Sequence, residues 1–179
     1  MRNILGQMLS PASCGMWGPI GCVLFLSGCW FYSFSGAAIP DHLSTVAVPL
    51  FDDVSRSGQP DLAEDLVEKL IERFVRRTRL SLEDDEEMAN AVLTGRIDSY
   101  RNEPVSVSGQ ERASLNRVTI RVSVVYTDRV EEREILNRSF SAFGEYDPVV
   151  DGFDGEIDAA EQALENIAVD IFTAATSDW

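Results

Sequence analysis

Arg117-Val118-Thr119-Ile120-Arg121-Val122-Ser123-Val124-Val125-Tyr126 is the stretch that decides the fold. Val118, Ile120, Val122, Val124 and Tyr126 alternate with Thr119, Arg121 and Ser123, the two-residue period of a β-strand with one buried and one wet face. On its N-terminal side, Ala91 to Tyr100 also reads as a strand. Between the two, Pro104-Val105-Ser106-Val107-Ser108-Gly109 keeps the alternation with too few apolar residues for a core, which predicts a hairpin arm running beyond the sheet and turning around Gly109. On the C-terminal side, the charged link Asp128 to Glu134 leads into a further strand, roughly Ile135 to Phe143, where Arg138 blurs the face pattern and suggests a bulge. Farther back, Thr45-Val46-Ala47-Val48-Pro49-Leu50-Phe51 reads as a short strand with Val46, Val48 and Leu50 on one face. Pro49 has no N–H to give, so this strand lies at an edge or its end forms a bulge.

Two helices supply the cover for the buried face. Asp61-Leu62-Ala63-Glu64 has the spacing of a capping box, and Ala63, Leu66, Val67, Leu70, Ile71 and Phe74 then recur at three and four residues. Glu64, Asp65, Glu68, Glu72, Arg73 and Arg76 fill the other face, with Arg73, Arg76, Arg77 and Arg79 gathered where the helix dipole favours cations. The last element, Glu156 to about Ala175, places Ile157, Ala160, Leu164, Ile167, Ala168, Ile171 and Phe172 on one side. The order is β-α-β-β-β-α. That predicts an α+β two-layer sandwich, two helices on one face of a four-stranded mixed sheet, with a crossover between the first two strands and hairpins between the later ones.

The N-terminus carries different information. Arg2 and a Gly/Pro-broken apolar run from Met16 precede Leu26-Ser27-Gly28-Cys29, a lipobox: small residues before the cut, and a thiol that accepts diacylglycerol. The run is too short and too interrupted to cross a ~30 Å hydrocarbon core as a helix. The organisation expected is a lipoprotein signal peptide over 1–28, a lipidated tether over 29–42 beginning at Cys29, and a single α+β domain over 43–179. Loss of residues 1–28 from the 179 leaves 151, one domain's worth of chain. It also removes Arg2, taking the net charge from −15 to −16, and removes Cys14 and Cys22, so no disulfide or thiolate metal site remains. So acidic a protein is unsuited to nucleic acid or to a bare anionic membrane, which leaves the acyl chains as the anchor. Trp30, where some inner-membrane lipoproteins carry Asp, favours outer-membrane sorting. The aromatic entry segment Trp30, Phe31, Tyr32 and Phe34 suits either the bilayer interface or packing on the domain.

Catalysis finds no support in the residues. His42, the only histidine, falls in a Pro40-Asp41-His42 turn with no partner identifiable from sequence and reads as an exposed turn residue. The chain has no Gly-x-Ser-x-Gly elbow, His-Glu-x-x-His helix or phosphate-cradling glycine loop, so a small periplasmic enzyme is the weakest reading. Asp154, Glu156, Asp158 and Glu165 occupy a calcium-loop frame, but Ala159 stands where that loop requires glycine, and a helix start explains the acids better. The acidic run Glu83 to Glu87 reads as solvated surface. No cofactor or metal is expected. Arg101, Arg112 and Arg117 flank the hairpin arm, where their forks suit an anionic ligand or an acidic partner surface, although solvated charges on a polar hairpin also discourage edge aggregation.

Taken in order behind the lipobox, Thr45-Val46-Ala47-Val48-Pro49-Leu50-Phe51 with Asp53, the helix after it, Ala91-Val92-Leu93-Thr94-Gly95-Arg96-Ile97-Asp98-Ser99-Tyr100, Glu103-Pro104, Arg117-Val118-Thr119-Ile120 and the terminal Trp179 carry a resemblance. The chain resembles the LptE family of lipopolysaccharide-assembly lipoproteins over almost its whole mature length. The resemblance implies a non-enzymatic outer-membrane lipoprotein that faces the periplasm, sits as a plug inside the lipopolysaccharide-transport β-barrel, helps assemble it, and assists delivery of lipopolysaccharide to the cell surface. It implies that barrel as partner and lipopolysaccharide as a further ligand, with Arg101, Arg112 and Arg117 the basic residues nearest the arm. An accessory lipoprotein of another envelope secretion system is the rival class, because fold does not settle function.

Overall fold

The computed structural model describes residues 39–105 and 115–177. The elements run β1 (Thr45–Ala47), β2 (Asp52–Asp53), α1 (Leu62–Arg77), β3 (Ser81–Leu82), β4 (Ala91–Val105), β5 (Leu115–Asp128), β6 (Arg133–Tyr146) and α2 (Gly152–Ser177). The strands form one mixed six-stranded sheet in the order β3-β1-β4-β5-β6, with β2 pairing farther along β4. Strands β1, β2 and β3 join in parallel, while β4, β5 and β6 form an antiparallel meander of long strands.

The expected class holds, and the strand count does not: six strands replace four. The reason lies at Pro49. β1 runs in the interior of the sheet, between β3 and β4, and stops at Ala47 before the proline would have to donate to the ladder. The chain leaves the sheet and rejoins it at Asp52 beside Arg96. The detour reverses the expected faces, leaving Leu50 62 % exposed and burying Phe51 against β4, where a Cβ on Gly95 would collide with the Phe51 ring. β3 is two residues long and pairs Thr45 with Ser81 and Val46 with Leu82, just ahead of the acidic run.

Each face of β5 behaves as its alternation requires. Val118, Ile120, Val122, Val124 and Tyr126 are all buried, packed with Leu66, Leu70 and Phe74 of α1 and with Leu164, Ile167 and Ile171 of α2 in one core. Phe74 meets Tyr126 at 5.7 Å and Phe172 edge-on at 5.4 Å between ring centroids. The closest approach of helix and sheet is at Gly144 of β6, where any Cβ would overlap the carbonyl of Ala159 on α2. No helix among the described residues is long and apolar enough to cross a membrane.

Four smaller expectations need correction. Asp61 makes no side-chain capping bond, because its φ of −95° and ψ of 2° are already near-helical rather than the extended geometry a capping side chain uses. Arg73 does not join the solvated face of α1: it is buried and paired with Glu165 of α2 across the helix–helix seam. α2 begins a turn before Glu156, at Gly152, and Ile157 is 42 % exposed instead of facing the core. The irregularity of β6 is not at Arg138: pairing jumps from Tyr126↔Leu136 to Thr127↔Glu134, so Ile135 is the extra residue. Arg138 keeps the register on the helix-side face and reaches solvent because β6 is an edge strand, its guanidinium stacked over Phe140 at 4.9 Å. A second irregularity lies between Ile97 and Ser99 and leaves Asp98 outside the β4–β5 pairing.

Candidate functional site

Among the described residues, helices cover one face of the sheet and leave the other open, and the open face is assembled from three strands whose outward residues are fixed by register. β5 contributes Arg117, Thr119, Arg121 and Ser123; opposite them on β4 stand Glu103, Arg101, Ser99 and Arg96, and on β6 Glu145, Phe143, Ser141 and Ser139. The surface is rich in hydroxyls and arginine forks. Ser123 donates to or accepts from Ser139 at 2.9 Å, and Ser141 donates to the Ile120 carbonyl at 3.0 Å. Ser123 also donates to Asp98, the bulge residue of β4, whose second partner is Arg96 at 2.8 Å. The Ser123 hydroxyl and then Arg96 hold the Asp98 carboxyl below the usual carboxylate range, against the opposing effect of partial burial.

The arginines on this face fall into two groups. Arg117 is engaged: its Nε donates to Glu145 at 2.9 Å, and its guanidinium lies 4.2 Å above the half-exposed Phe143 ring. Arg101 and Arg121 have no carboxylate within ion-pair distance among the described residues, although the chain carries 30 acidic residues against 15 Lys and Arg. Because Arg101 pairs with Thr119 and Arg121 with Ser99, the two stand on neighbouring strands one diagonal step apart. Two unpaired guanidiniums side by side in so acidic a chain make a local seat for phosphate, carboxylate or carbonyl groups.

The arm is stiff at its base. β4 and β5 stay paired out to Val105↔Leu115, beyond the ends expected from the apolar pattern. Tyr146 at the end of β6 accepts from Asn102 at 2.8 Å and from Asn116 at 3.2 Å. Tyr100 donates to Glu156 of α2 at 2.9 Å and accepts from Gln59 at 3.1 Å. Burial first, and Glu156 second, push its phenol far up, so it stays a donor. Arg101 and Arg117 are therefore carried on a braced platform, whereas Arg112, the turn around Gly109, Cys29, the aromatic entry segment and Trp179 lie outside the described residues.

The histidine was misread from sequence. His42 is half-buried, not an exposed turn residue, and its Nε2 is 2.6 Å from Oδ2 of Asp128 at the end of β5. The Asp128 side chain is 0 % exposed, and its Oδ1 accepts the backbone N–H groups of Val130 at 2.9 Å and Glu131 at 3.0 Å. Burial pushes its carboxyl up, but the Glu131 N–H, His42 and the Val130 N–H more than offset this and leave it below the usual range. On the helix side, a groove between α1 and α2 is lined by Asp65, Glu68, Lys69, Glu72 and Glu161, and burial raises the Asp65 carboxyl. That groove contains neither a hydroxyl nucleophile nor a histidine to work with it.

Comparison with known proteins follows the fold. The model of the LptE family, described as lipopolysaccharide-assembly, matches residues 43–175. No curated protein matches. Among solved structures, a protein from Xanthomonas campestris is similar at TM-score 0.55 and 11 % identity, covering 78 % of this chain and 90 % of its own. The PelC dodecamer of Paraburkholderia phytofirmans aligns at TM-score 0.51 and 11 % identity over 80 % and 94 %. A candidate lipoprotein from Caulobacter crescentus CB15 aligns at 0.50 and 15 % identity over 74 % and 88 %. At such identities these likenesses concern the fold alone.

Proposed function

Because the chain belongs to the LptE lipopolysaccharide-assembly family, we propose that it is an outer-membrane lipoprotein that plugs and helps assemble the lipopolysaccharide-transport β-barrel and assists delivery of lipopolysaccharide to the cell surface. The observation that carries this reading is the open sheet face. A β-barrel large enough to hold a domain has a polar, wet interior. The uncovered surface here is mostly Ser, Thr, Arg and Glu around the half-exposed Phe143, suited to many individually modest hydrogen bonds with a lumen wall. The α1–α2 layer keeps the core closed without the barrel, so the domain enters as a formed wedge.

In this reading residues 1–28 are the signal peptide, Cys29 takes the acyl chains, and residues 29–42 tether the domain of residues 43–179 at the periplasmic side of the outer membrane. The arm enters first, with Arg101, Arg112 and Arg117 as its cationic contacts to the barrel or to lipopolysaccharide phosphates, and Arg121 beside them. The role is positioning and assembly, not catalysis.

The test is recovery of the tagged lipoprotein from native membranes in mild detergent, comparing the wild type with Arg101→Glu/Arg121→Glu. The wild type is expected to retain the barrel in near-equal amount through a salt wash, and the charge-reversed protein to lose most of it. Retention of a different channel would transfer the protein to another envelope secretion system, and retention of nothing would end the plug assignment.

A further inference from the structure

We infer that His42, Asp128 and Glu131 form a binding site for one divalent transition-metal ion of the zinc class, which staples the entry of the domain to the turn between β5 and β6. Each residue offers one donor atom, and the three donors lie within 4.8 Å of one another. Asp128 is the fixed member: fully buried, with one oxygen held by two backbone N–H groups and the other directed at the imidazole. Outer hydrogen bonds of this kind orient a carboxylate ligand before the metal arrives. Glu131 is the closing member. Its side chain is 53 % exposed and its Oε1 lies 3.8 Å from His42 Nδ1, the ring nitrogen that Asp128 does not face, so binding one ion requires this side chain to turn toward Nε2; Oε2 meets Arg133 at 3.6 Å.

The charge balance of the cluster points the same way. Asp128 is a buried carboxylate whose side-chain partner among the described residues is a histidine, and the neighbouring ligand is a second carboxylate. Two carboxylates therefore converge on one imidazole, with Arg133 beside Glu131 on the outer side, an arrangement that a divalent cation can bridge. One imidazole nitrogen with two carboxylate oxygens is a zinc-type donor set with a fourth position left for water. The nitrogen disfavours magnesium and calcium, which prefer all-oxygen shells. The staple would join residues 86 apart in sequence. It would lie where the chain enters the domain, next to fully buried Leu43 and beside the Pro40 carbonyl, which accepts from Arg79.

The test uses the full-length lipoprotein in detergent, stripped with chelator and titrated with Zn2+ by calorimetry and with Co2+ by visible absorption. One ion per chain is expected, with a cobalt spectrum of nitrogen and oxygen ligation and no thiolate charge-transfer band. Glu131→Gln, on an exposed turn, should weaken binding by about tenfold with the circular dichroism spectrum unchanged, and His42→Ala should weaken it further. Absence of one-to-one binding, or wild-type affinity in both Glu131→Gln and His42→Ala, would overturn the site. These outcomes do not depend on which barrel, if any, holds the protein.

Discussion

On β5, Val118, Ile120, Val122, Val124 and Tyr126 lie under two helices, while one residue away Thr119, Arg121 and Ser123 face outward with no element among the described residues above them. The covered side has close-packed rings, a helix backbone seated directly on Gly144, and interlocked aliphatic chains. The open side has hydroxyl pairs, a bulged aspartate and two arginines without ion-pair partners among the described residues. Stability and recognition are thus separated by the thickness of a single sheet. Substitutions on the two faces should part accordingly, and their effects on stability should fall in the order that follows.

The largest effect belongs to Gly144→Val. The atom a Cβ would strike is the carbonyl of Ala159, part of a helix backbone that can move only by lifting α2 from the sheet. A loss of about 3 kcal/mol is expected, read as a lower midpoint in chemical denaturation followed by circular dichroism. For Gly95→Ala the nearest atoms belong to the Phe51 ring, a side chain rather than a backbone, and the loss should be smaller, about 1 kcal/mol. Equal losses at the two glycines would mean that α2 is not seated as tightly as the covered face requires.

The covered face also contains a defect. The Tyr126 hydroxyl is buried with no hydrogen-bond partner among the described residues, and burial, then Asp128, raises its pKa far above the ordinary phenol. An unsatisfied buried hydroxyl costs about 1–3 kcal/mol, so Tyr126→Phe, which keeps the ring contact with Phe74, is expected to stabilise by about 1 kcal/mol. Unfolding of this variant at lower denaturant than the wild type would show that the hydroxyl has a partner and that the covered face is not purely apolar in its energetics.

Much of this division could be read from sequence, and the exceptions have physical causes. The alternation in β5 and the three-four spacing in α1 and α2 are properties of long elements, which repeat their period several times. β2 and β3 are two residues each and have no period to repeat; only pairing to β4 and β1 makes them strands. Leu50 and Phe51 exchange roles because the chain leaves the sheet after Ala47, a consequence of Pro49 that places the break but not the direction of the detour. The arm is longer than its apolar content suggested because a backbone ladder needs no apolar side chains, and its base is secured instead by Tyr100, Asn102, Asn116 and Tyr146. Arg101 and Arg117 were found from their place beside the arm. Arg121 was seen only as a polar position in an alternating strand, since its lack of a partner is a fact of three dimensions. Asp128 was missed for the same reason: its histidine is 86 residues away.

Acid provides a finer probe of the open face. Asp98 has its carboxyl held below the ordinary range, so the stabilisation it contributes is complete above the unfolded value of about 3.9 and is lost as the pH falls from there through the folded value. Ser123→Ala removes the largest cause of that depression. The variant should be slightly less stable than the wild type at neutral pH and should converge with it below about pH 4, as measured by denaturation midpoints across an acid series. A constant difference at every pH would mean that the serine acts by packing and not through the carboxylate.

Arg121→Glu and Arg101→Glu should alter stability least and break the comparison most sharply if they do otherwise. Neither side chain has an ion-pair partner among the described residues, so their reversal removes no bridge there, and a change within about 0.5 kcal/mol is expected in the isolated protein. Reversal of Arg121 also places a negative charge near Asp98, which should raise that carboxyl and shift the acid limb toward higher pH without moving the neutral-pH midpoint appreciably. Partner retention should nonetheless fall, because the same exposed guanidiniums have no ion-pair partner among the described residues and are offered to a partner. A destabilisation comparable to Gly144→Val would mean that this face supports the fold as the covered one does, and the separation of stability from recognition across the sheet would fail at that point.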